Sequence, residues 1–410
     1  MITEGLRDLI SGSDRPPHPA QLRRAGITFK PDDVVPPGTP GSVLCMRTKN
    51  VQSELDLSDV WAVDSSLVRR QNQFLQEGDI LVSSANSWNL VGKCCWIPQL
   101  SEKSSFGGFV SVIRAQTSRV NPRYLYRWFS SPRVQTTVRS FGRQTTNISN
   151  LNVERCLKLP LPLPSLQEQR RIAEVLDRAD ELRTKRRGAL ARLDNLTQSV
   201  FLDMFGEPFT NERQWFASSV GDAGKVQLGR QRAPQYQTGK FTSPYLRVAN
   251  VHEDRIDLSD VLEMDFNEED FDRYQLHEGD ILLNEGQSTE LVGRPAMWRG
   301  EGAGYCYQNT LVRFQSKRSI VNPTYALAVF LRYFRTGQLA KISSKTSNVA
   351  HLGAGRFAKM PFPIPPINLQ EKFAEQAEEI RNLKSRQQAS DAELGTLFAS
   401  LQDRAFRGAL

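Results

Sequence analysis

The sequence predicts an α+β protein in which two strand-rich domains alternate with two long helices. Three observations predict this class. Residues 161–206 hold an unbroken helical pattern, residues 362–410 hold a second one, and almost every landmark of the chain returns 201 residues later. The expected division is therefore a strand-rich domain over 1–160, a long helix over 161–206, a second domain over 207–361 and a second helix over 362–410.

The first long helix follows a proline-rich exit at 160–164, which fixes the direction in which the chain leaves the domain. Ser165 is the expected N-cap, and Glu168 completes a capping box. The pattern continues to Phe205, which makes a helix about 60 Å long at ~1.5 Å per residue. Its apolar residues have heptad spacing and predict a narrow seam for one partner helix. The predicted seam residues are Val175, Ala179, Leu182, Ala189, Leu193, Leu196 and Val200.

The repeat is carried by short, well-separated matches. Asp56-Leu-Ser-Asp-Val60 returns at 257–261, Glu77-Gly-Asp-Ile-Leu81 at 278–282, and the alternating prolines of 160–164 at 361–365. The chain is one unit of about 200 residues written twice, an internal repeat. Before about residue 40 the register is lost, so the extreme N-terminus is expected to differ from its counterpart.

Within each unit, β-branched and aromatic runs bounded by Gly and Pro predict short strands. In the first unit these runs are Val43–Met46, Asp79–Val82 and Phe109–Ile113. Helices are expected after Asn121-Pro122 and after Ser131-Pro132, where an N-cap residue precedes a proline. The Glu-Gly-Asp sequence before the second run is typical of a tight turn with φ > 0 at Gly.

The second long helix is expected from Asn368 to Arg407, and its predicted seam residues are Ile380, Leu383, Leu394, Leu397 and Leu401. Two amphipathic helices of matched length most simply pair with each other. Duplication with a pseudo-twofold axis makes the pair antiparallel, with one domain at each end. The alternative is that each helix packs only on its own domain.

Composition limits the class of protein. The chain has 410 residues and a net charge of +8, and residues 1–160 carry 20 Lys and Arg against 13 Asp and Glu. It lacks an apolar run long enough for a transmembrane helix and an N-terminal signal-peptide pattern, so a cytoplasmic protein with no membrane partner is expected. Five cysteines without CxxC spacing and four unclustered histidines argue against a metal site or a disulfide framework.

Catalytic motifs are missing from the sequence. There is no phosphate-binding loop, no Gly-rich dinucleotide turn and no Asn/Asp-Pro-Pro-aromatic tetrapeptide of the kind that holds a base in DNA amino-methyltransferases. Asp280 and Glu285 could suggest a metal-dependent nuclease, but no Lys follows them, and the repeat partner Asp79 lacks the second acid. The chain is therefore expected to have no catalytic residues and to bind no metal by itself.

Each unit contains a window without Asp or Glu. Residues 103–153 hold eight basic residues and no acid, and residues 302–370 hold nine and no acid. Their matched positions predict an anion-facing surface, because Arg and Lys neutralise phosphates and release counterions. The aromatics Tyr124, Tyr126, Trp128 and Phe129 interleave with arginines there, but their helical spacing is more typical of a core.

Three pairs of polar loops are candidates for contacting DNA bases. In the loops at 143–147 and 344–348, the residues that repeat, Thr145/Thr346 and Asn147/Asn348, are expected to shape the loop or hold a phosphate. Those that differ there, Arg143/Ser344 and Gln144/Lys345, are expected to read bases. The candidates in the first unit are Arg143, Gln144, Thr145, Asn147, Asn86, Ser87, Arg47 and Lys49. Those in the second unit are Lys345, Thr346, Asn348, Gln287, Ser288, Arg247 and Asn250. The alternative for any single residue is an ordinary polar surface loop.

Two strand-rich domains, each closed by a proline-rich exit and a long helix, resemble the specificity subunit of type I restriction-modification systems. The sequences that carry the resemblance are Leu159-Pro-Leu-Pro-Leu-Pro-Ser-Leu-Gln-Glu-Gln169 with Val200-Phe-Leu-Asp-Met-Phe-Gly206, and Pro361-Phe-Pro-Ile-Pro-Pro-Ile-Asn-Leu-Gln-Glu371 with Phe398–Gly408. Gly-Asp-Ile-Leu in each domain also fits. The resemblance covers the chain except for about its first forty residues.

The resemblance implies two target-recognition domains that read the two halves of a bipartite, asymmetric site on double-stranded DNA. The helices would set the gap between the halves. It also implies two modification (methyltransferase) subunits that use S-adenosylmethionine, and restriction (translocase and nuclease) subunits that use ATP and Mg. The expected docking surfaces lie around Gln167–Gln169 and Gln370-Glu371.

Two other functions remain open from the sequence. One is a coiled-coil scaffold whose basic domains bind RNA or an acidic protein. The other is an autonomous nuclease or methyltransferase. A preference among DNA duplexes separates the first from a specificity subunit, and cleavage or methylation by the chain alone would establish the second.

Overall fold

The computed structural model describes residues 3–5, 26–144, 148–152, 155–156, 158–233, 237–346 and 349–408. The chain divides into two units. Unit 1 contains residues 1–187 and 389–410, and unit 2 contains residues 188–388. Each unit therefore combines one strand-rich domain with parts of both long helices. The sequence-based boundaries separate domain from helix, whereas packing groups each domain with the helical turns beside it.

Among its described residues, unit 1 has three sheets and one short strand pair. The first sheet has the spatial order Val34–Val35, Trp61–Asp64, Ser42–Met46 and Ser104–Phe106. The second has the order Cys94–Trp96, Ile80–Ser83 and Val110–Ile113. The third, called here the small sheet of unit 1, has the order Gly142–Gln144, Ser149–Leu151 and Ala85–Asn86. Thr3–Gly5 pairs with Pro160–Pro162.

The three strands predicted for unit 1 are confirmed to within one residue. Ile80–Ser83 is buried along its whole length, as expected for an apolar strand with a neighbour on each edge. Gly78, in the turn before it, has φ of 91°, which is the left-handed conformation predicted from the Glu-Gly-Asp sequence. The turn therefore sets where this central strand begins.

Both helices predicted for the first domain are present, as Pro122–Phe129 and Pro132–Ser140. The Asn121 side chain accepts a hydrogen bond from the Tyr124 N–H at 2.9 Å, so it caps the first helix as expected. Its four aromatic residues are buried and belong to the core. Single 3-10 turns lie at Pro31–Asp33, Thr48–Asn50, Ser65–Leu67 and Gln71–Gln73.

Unit 2 repeats this arrangement with longer elements. Its main sheet has the order Gly224–Leu228, Leu311–Ser316, Ile281–Asn284 and Pro295–Met297, and a second has Leu262–Asp265, Thr242–Leu246 and Cys306–Tyr307. The small sheet of unit 2 has the order Gly286–Gln287, Val349–His351 and Ser344–Thr346. Val251–His252 pairs with Arg255–Ile256, and Phe216–Ser219 pairs with Pro361–Ile364. The short helices are Val220–Ala223, Glu268–Tyr274, Pro323–Arg335, Gln338–Ile342 and Ala354–Ala358.

The repeat extends further toward the N-terminus than a fixed spacing of 201 residues shows. Thr3–Gly5 pairs antiparallel with the first proline-rich strand, as Phe216–Ser219 does with the second. Gly26 approaches the Gly107 carbonyl so closely that a Cβ would lie 2.2 Å from its oxygen, and Gly229 approaches the Gln308 carbonyl at the same 2.2 Å. The expectation that this region differs is therefore wrong at these two points; residues 6–25 lie outside the described residues. Segments of unequal length between these points hide the match.

The long helices run from Leu166 to Phe205 and from Ile367 to Arg407, close to the predicted bounds. Ser165 accepts a hydrogen bond from the Glu168 N–H at 3.3 Å, as expected for the N-cap. The predicted seam is partly wrong, because four of its leucines face outward. Their exposed fractions are 58% for Leu182, 43% for Leu196, 49% for Leu383 and 54% for Leu397.

The actual seam of unit 1 lies one residue further along each helix. The Arg183 guanidinium carbon lies 4.5 Å from the centre of the Phe398 ring, and Arg186 donates a hydrogen bond to the Ser390 hydroxyl at 2.6 Å. Residue numbers rise on one helix as they fall on the other, so the predicted antiparallel pairing is confirmed within unit 1. In unit 2, Phe205 near the end of the first helix packs on Phe373 near the start of the second, with ring centres 5.6 Å apart.

Each long helix also packs on the domain that precedes it. Ile172 and Leu176 belong to the same buried cluster as Tyr124 and Trp128 in unit 1. Phe373 and Ala377 belong to the corresponding cluster of unit 2. Pairing of the two long helices and packing of each helix on its own domain therefore both occur, since each helix uses one face for its partner and another for its domain.

Candidate nucleic-acid interface

The acid-free window of unit 1 is not a continuous anion-facing surface. Arg123 contacts Asp177 through two hydrogen bonds of 2.9 and 2.8 Å, and Arg127 contacts Asp177 and Asp180 at 2.6 and 2.7 Å. Arg114 binds Asp79 through two hydrogen bonds of 2.6 Å. These arginines are neutralised by acids from outside the window, two of them on the first long helix. The prediction is wrong for these residues.

The window of unit 2 behaves in the same way. Arg332 pairs with Glu207 at 2.7 Å, Arg335 with Glu253 at 2.6 Å, and Arg313 with Asp280 at 3.3 Å. The matched depletion of acids therefore reflects long-range ion pairing as well as surface charge. Arg143 in unit 1 and Lys345 in unit 2 lie on exposed strands of the small sheets, so they are placed to meet phosphates.

The small sheet of unit 1 brings two of the predicted loops together. Ser149 on its middle strand faces Gln144 on one side and Asn86 on the other. In the small sheet of unit 2, Ala350 faces Lys345 on one side and Gln287 on the other. Residues that pair directly across antiparallel strands share one face of the sheet, so Gln287 and Lys345 lie on the same face in unit 2. In unit 1, Asn86 shares its face with Ser149, whereas Arg143 pairs with Asn150 and lies on the opposite face.

The amide residues of these sheets have matched local geometry. The Ser87 N–H donates to the Asn86 side chain at 2.8 Å, and the Ser288 N–H donates to the Gln287 side chain at 3.3 Å. This bond fixes the side-chain oxygen. In unit 1 the Asn86 NH₂ group also donates to the Ser83 hydroxyl at 3.1 Å, which leaves one of its two N–H donors for another partner. Thr145, Asn147 and Asn348 lie outside the described residues, as do the side chains of Gln144 and Thr346.

The third predicted loop of unit 1 holds Arg47 and Lys49. The Arg47 guanidinium lies flat over the Trp61 ring, 3.6 Å from its centre, and donates to the Asp59 carboxylate at 3.2 Å. Lys49 contacts the same carboxylate and lowers its pKa. Asn50 is buried and donates to the Asp56 and Asp59 carbonyls at 2.8 and 3.0 Å, so it holds the loop closed.

The matching loop of unit 2 corrects one candidate. Asn250 is 1% exposed, and its NH₂ group donates to the Asp257 and Asp260 carbonyls, both at 2.9 Å. It is therefore the counterpart of Asn50 in unit 1 and has a loop-holding role instead of the predicted base-reading role. Arg247 pairs with Asp260 at 2.6 Å, as Arg47 pairs with Asp59. A fixed offset of 201 residues pairs Asn250 with Lys49 instead of Asn50, because this loop is one residue longer in unit 2.

The repeated Gly-Asp carboxylates are structural. Asp79 and Asp280 are buried, and each accepts a hydrogen bond from the backbone N–H three residues earlier, at 2.8 and 3.1 Å. With the paired Arg114 and Arg313, they tie the turn to the neighbouring strand. Glu285 instead contacts the Gly353 N–H at 3.0 Å, and burial raises its pKa, against the lowering effects of that N–H, His351 and Arg356.

A cleft of about 1120 Å³ in unit 1 was not predicted from the sequence. It joins the Arg47 loop to the small sheet, because Arg47, Lys49, Ala85 and Arg143 all line it. The aromatic residues on its walls are Phe29, Trp61 and Phe109. The Gly107-Gly108-Phe109 sequence, a flexible turn that ends in a large apolar residue, is the sequence feature that could have indicated it.

The expected docking surface on the long helices needs correction. Gln169 and Gln370 are 1% and 0% exposed, so neither side chain is accessible to a partner. Gln169 accepts from the Asn121 N–H at 2.8 Å and donates to the Pro164 and Arg119 carbonyls at 2.9 and 3.3 Å. Gln370 makes the same three contacts with Asn322, Pro365 and Ile320 at 2.9, 2.7 and 3.0 Å. Each glutamine, called here a glutamine bracket, joins a long helix to its domain.

Metal-binding geometry is not found in the described part of the chain, where no group of three His, Cys, Asp or Glu side chains could hold an ion. Burial raises the pKa of the Cys45 thiol to about 12, so this cysteine has little thiolate character at neutral pH. No helix among the described residues is long and apolar enough to cross a membrane.

Comparison with known proteins gives a consistent result. Residues 48–192 match the family described as the type I restriction modification DNA specificity domain. Over 403 residues, the chain is 21% identical to the type I restriction enzyme EcoKI specificity subunit of Escherichia coli K12, covering 94% of this chain and 86% of that protein. It is also 21% identical to the StySPI specificity subunit of Salmonella potsdam over 409 residues, with the same 94% and 86% coverage.

Solved structures share the fold. A chain from a study of complex assembly and conformational transition of the type I R-M system matches with a TM-score of 0.59 at 15% identity, over 100% of this chain and 98% of that one. The type I restriction-modification S subunit from M. genitalium matches with a TM-score of 0.54 at 12% identity, over 99% and 96% of the two chains. The repeat, the paired long helices and the sequence matches agree. This chain is therefore similar, over 94% of its length, to specificity subunits of type I restriction enzymes.

Proposed function

We propose that this chain selects the DNA target of a type I restriction-modification complex, with each small sheet reading one half of a bipartite site. The observation that carries the proposal is a repeated frame with divergent exposed side chains. Both units contain the loop closed by a buried asparagine (Asn50 or Asn250), the Gly-Asp turn and the glutamine bracket. The residues displayed on that frame differ, since Asn86 in unit 1 corresponds to Gln287 in unit 2.

Asn and Gln side chains can make paired hydrogen bonds to adenine, and Arg and Lys can bind guanine or a phosphate. Two frames with different side chains would therefore recognise two different half-sites, which makes the whole target asymmetric. Arg143 and Lys345 would contribute contacts to phosphates, or to guanine where their geometry allows. Phosphate contacts release counterions, so binding is expected to weaken steeply as the salt concentration rises.

The catalytic activities would belong to partner subunits. Two modification subunits would supply adenine methylation from S-adenosylmethionine, and restriction subunits, where present, would supply ATP- and Mg-dependent translocation and cleavage. This chain would bind none of these cofactors itself and would act in the cytoplasm as the DNA-reading part of the assembly. The long helices would set the gap between half-sites.

The outward-facing leucines are the proposed contact with the modification subunits. Unit 1 exposes Leu182 and Leu397 and unit 2 exposes Leu196 and Leu383, each by more than two fifths. Exposed leucines on regular helices are costly in water and suit packing against another helix. Changing Leu182 and Leu397 together to Glu should reduce co-elution of a modification subunit in size-exclusion chromatography. Leu57→Glu, a change at a leucine that is 50% exposed in the first domain, is the control; equal retention by both variants would contradict this surface.

The decisive experiment is a map of methylated adenines in the source genome with and without this gene. Loss of one bipartite methylated motif on deletion, and its return on complementation, is the expected result. Complementation with Asn86→Ala should change or abolish methylation through one half-site and leave the other half-site's bases unchanged. An unaltered methylation pattern in the deletion strain would overturn the proposal.

A further inference from the structure

The cleft of unit 1 has a chemical character that its repeat partner lacks. It combines three aromatic rings with the cationic side chains of Arg47, Lys49 and Arg143. None of the described residues that line it is acidic, but Arg47 and Lys49 share the carboxylate of Asp59, so the three cations and this carboxylate together keep a net positive charge. Its volume of about 1120 Å³ is at the upper end of the range of ordinary small-ligand sites. A site that combines flat apolar surfaces with positive charge is suited to an aromatic anion.

Two glycines on the cleft wall have no counterpart in unit 2. Gly107, Gly108 and Phe109 of unit 1 correspond to Gln308, Asn309 and Thr310 of unit 2. A Cβ added to Gly108 would have no neighbour closer than 3.8 Å, so the backbone does not require glycine there. That Cβ would approach the Ile27 carbonyl and the Thr28 hydroxyl of the cleft wall, so a larger side chain here would occupy space beside the cleft.

Phe109 is the ring with a free face. It is 66% exposed, and its backbone is fixed because its carbonyl accepts hydrogen bonds from the Ser84 and Ala85 N–H groups at 2.9 and 3.3 Å. One face of Trp61 is already covered by Arg47, 3.6 Å away, and the Phe29 ring lies edge-on to it, with ring centres 6.1 Å apart. A flat ligand would therefore stack on Phe109, with the guanidinium of Arg47 behind it.

We propose that this cleft binds one unstacked nucleotide of DNA, with its base against Phe109 and its phosphate near Arg47, Lys49 and Arg143. Aromatic platforms with nearby cations are how proteins hold unpaired bases. A nucleotide that leaves the duplex must lose its stacking, and an aromatic wall compensates for part of that loss. The inference rests on the proposed DNA-reading function and adds a binding site in unit 1.

The test titrates the full chain with the four deoxynucleoside 5′-monophosphates and, separately, with inorganic phosphate, following binding by ligand-observed NMR. At least one mononucleotide should bind about tenfold or more tightly than phosphate, because stacking adds to the anion contact. Phe109→Thr, which installs the residue of unit 2, should weaken that binding by about tenfold. Gly108→Asn should also weaken it by occupying space beside the cleft.

Trp88→Thr is the matched control, since Trp88 is an exposed aromatic residue of the same unit that does not line the cleft. This variant should bind mononucleotides as the unchanged chain does. Phosphate binding as tight as the best nucleotide, or undiminished nucleotide binding by Phe109→Thr, would overturn the inference.

A parallel gel shift, run with modification subunits and duplexes carrying the methylated motif, distinguishes failure of the cleft assignment from failure of the proposed function. Specific duplex binding without any mononucleotide binding would overturn the cleft assignment alone. Mononucleotide binding that depends on Phe109, without preference among duplexes, would support the cleft and overturn the proposed function. Both bindings together are the expected result.

Discussion

The carboxylate of Asp280 lies at the centre of a buried polar group in unit 2. It pairs with Arg313 at 3.3 Å and accepts hydrogen bonds from the Gln315 side chain and the His277 N–H at 2.9 and 3.1 Å. Asp280→Ala would leave the guanidinium buried without its counter-ion, so the free energy of unfolding of unit 2 should fall by about 3 to 5 kcal/mol. Chemical denaturation followed by tryptophan fluorescence measures this loss.

Asp260→Ala is the surface control for that experiment. Its ion pair with Arg247 at 2.6 Å involves a carboxylate with 71% of its side chain exposed. Exposed pairs contribute about 1 kcal/mol or less, so this variant should remain near the unchanged protein. Equal losses in the two variants would show that burial does not set the strength of the Asp280 pair.

Glu285 should make the stability of unit 2 depend on pH. Burial raises the pKa of its carboxyl above the ordinary value of 4.5, so the folded protein holds this proton more tightly than the unfolded chain does. This group's contribution to stability therefore decreases as pH rises from about 4.5 through the raised value. Glu285→Gln keeps an oxygen for the Gly353 N–H and removes the ionisation.

The melting temperature of Glu285→Gln, measured relative to that of the unchanged protein, should therefore increase between pH 4 and pH 7. Glu290→Gln is the control, because the pKa of that exposed carboxyl is lowered by hydrogen bonds to its own N–H and to Ser288. It should not reproduce the gain. A constant difference in melting temperature across the pH range would contradict the buried, proton-holding state of Glu285.

Single residues were the hardest level to predict from the sequence. A fixed offset of 201 residues pairs Asn250 with Lys49 and predicts a DNA contact, whereas the structure pairs it with the buried Asn50. The acid-free windows had the same difficulty, since Arg127 is neutralised by Asp180 of a helix some fifty residues later. Sequence position does not show which distant carboxylate a cation will meet.

At the scale of elements, the glutamine brackets should control how strictly the protein measures the distance between half-sites. Gln169→Ala would remove the acceptor of the Asn121 N–H and the donor to the Pro164 and Arg119 carbonyls at the joint between helix and domain. The cost should be about 1 to 3 kcal/mol of stability, with a looser angle at the joint. Binding to targets whose gap is one base pair longer or shorter should then rise relative to the original target.

Gln167→Ala, two residues away on the exposed side of the helix, is the matched control and should keep the original preference. Competition gel shifts with three gap lengths give the measurement. If Gln169→Ala lowers the melting temperature but keeps the same strict gap, the bracket would be important for stability only.

The helices themselves were predicted well and their seam was not. Length, capping and the heptad pattern are local properties, so Ser165 and the bounds of both helices followed from the sequence. The seam depends on which residues the partner offers. In unit 1, Arg183 lies over Phe398 while the more hydrophobic Leu182 faces outward. Hydrophobicity alone therefore selected a register one residue away from the real one.

At the scale of the whole molecule, shortening both helices should change the gap in the DNA target. Deletion of residues 185–191 together with 386–392 removes seven residues from each helix and preserves the phase of the seam. The helices shorten by about 10 Å, which corresponds to roughly three base pairs. Mapping methylated adenines should show a shorter gap between unchanged half-sites; altered half-site bases would contradict a spacing role.

The repeat made the overall architecture predictable, because two copies of one pattern confirm each other. The cleft of unit 1 shows the limit of that approach. It exists where the copies differ, at Gly107-Gly108-Phe109, and its walls come from segments more than a hundred residues apart. Because Gly107, Gly108 and Phe109 match different residues in unit 2, the repeat gives no indication of this cleft.

The glutamine brackets affect how readily one domain can be replaced by gene exchange. Apart from the glutamine itself, every atom in each bracket belongs to the main chain, and the Tyr124 and Tyr325 hydroxyls likewise donate to the carbonyls of Pro162 and Pro363 at 2.9 and 2.8 Å. The bracket contacts recognise peptide groups and therefore do not depend on the domain's other side chains, whereas the Arg127–Asp180 ion pair and the packing of Ile172 and Leu176 with Tyr124 and Trp128 do. A replacement domain would have to keep those few residues. Gene exchange could therefore replace one domain with a diverged one and give the host a new DNA specificity in a single event.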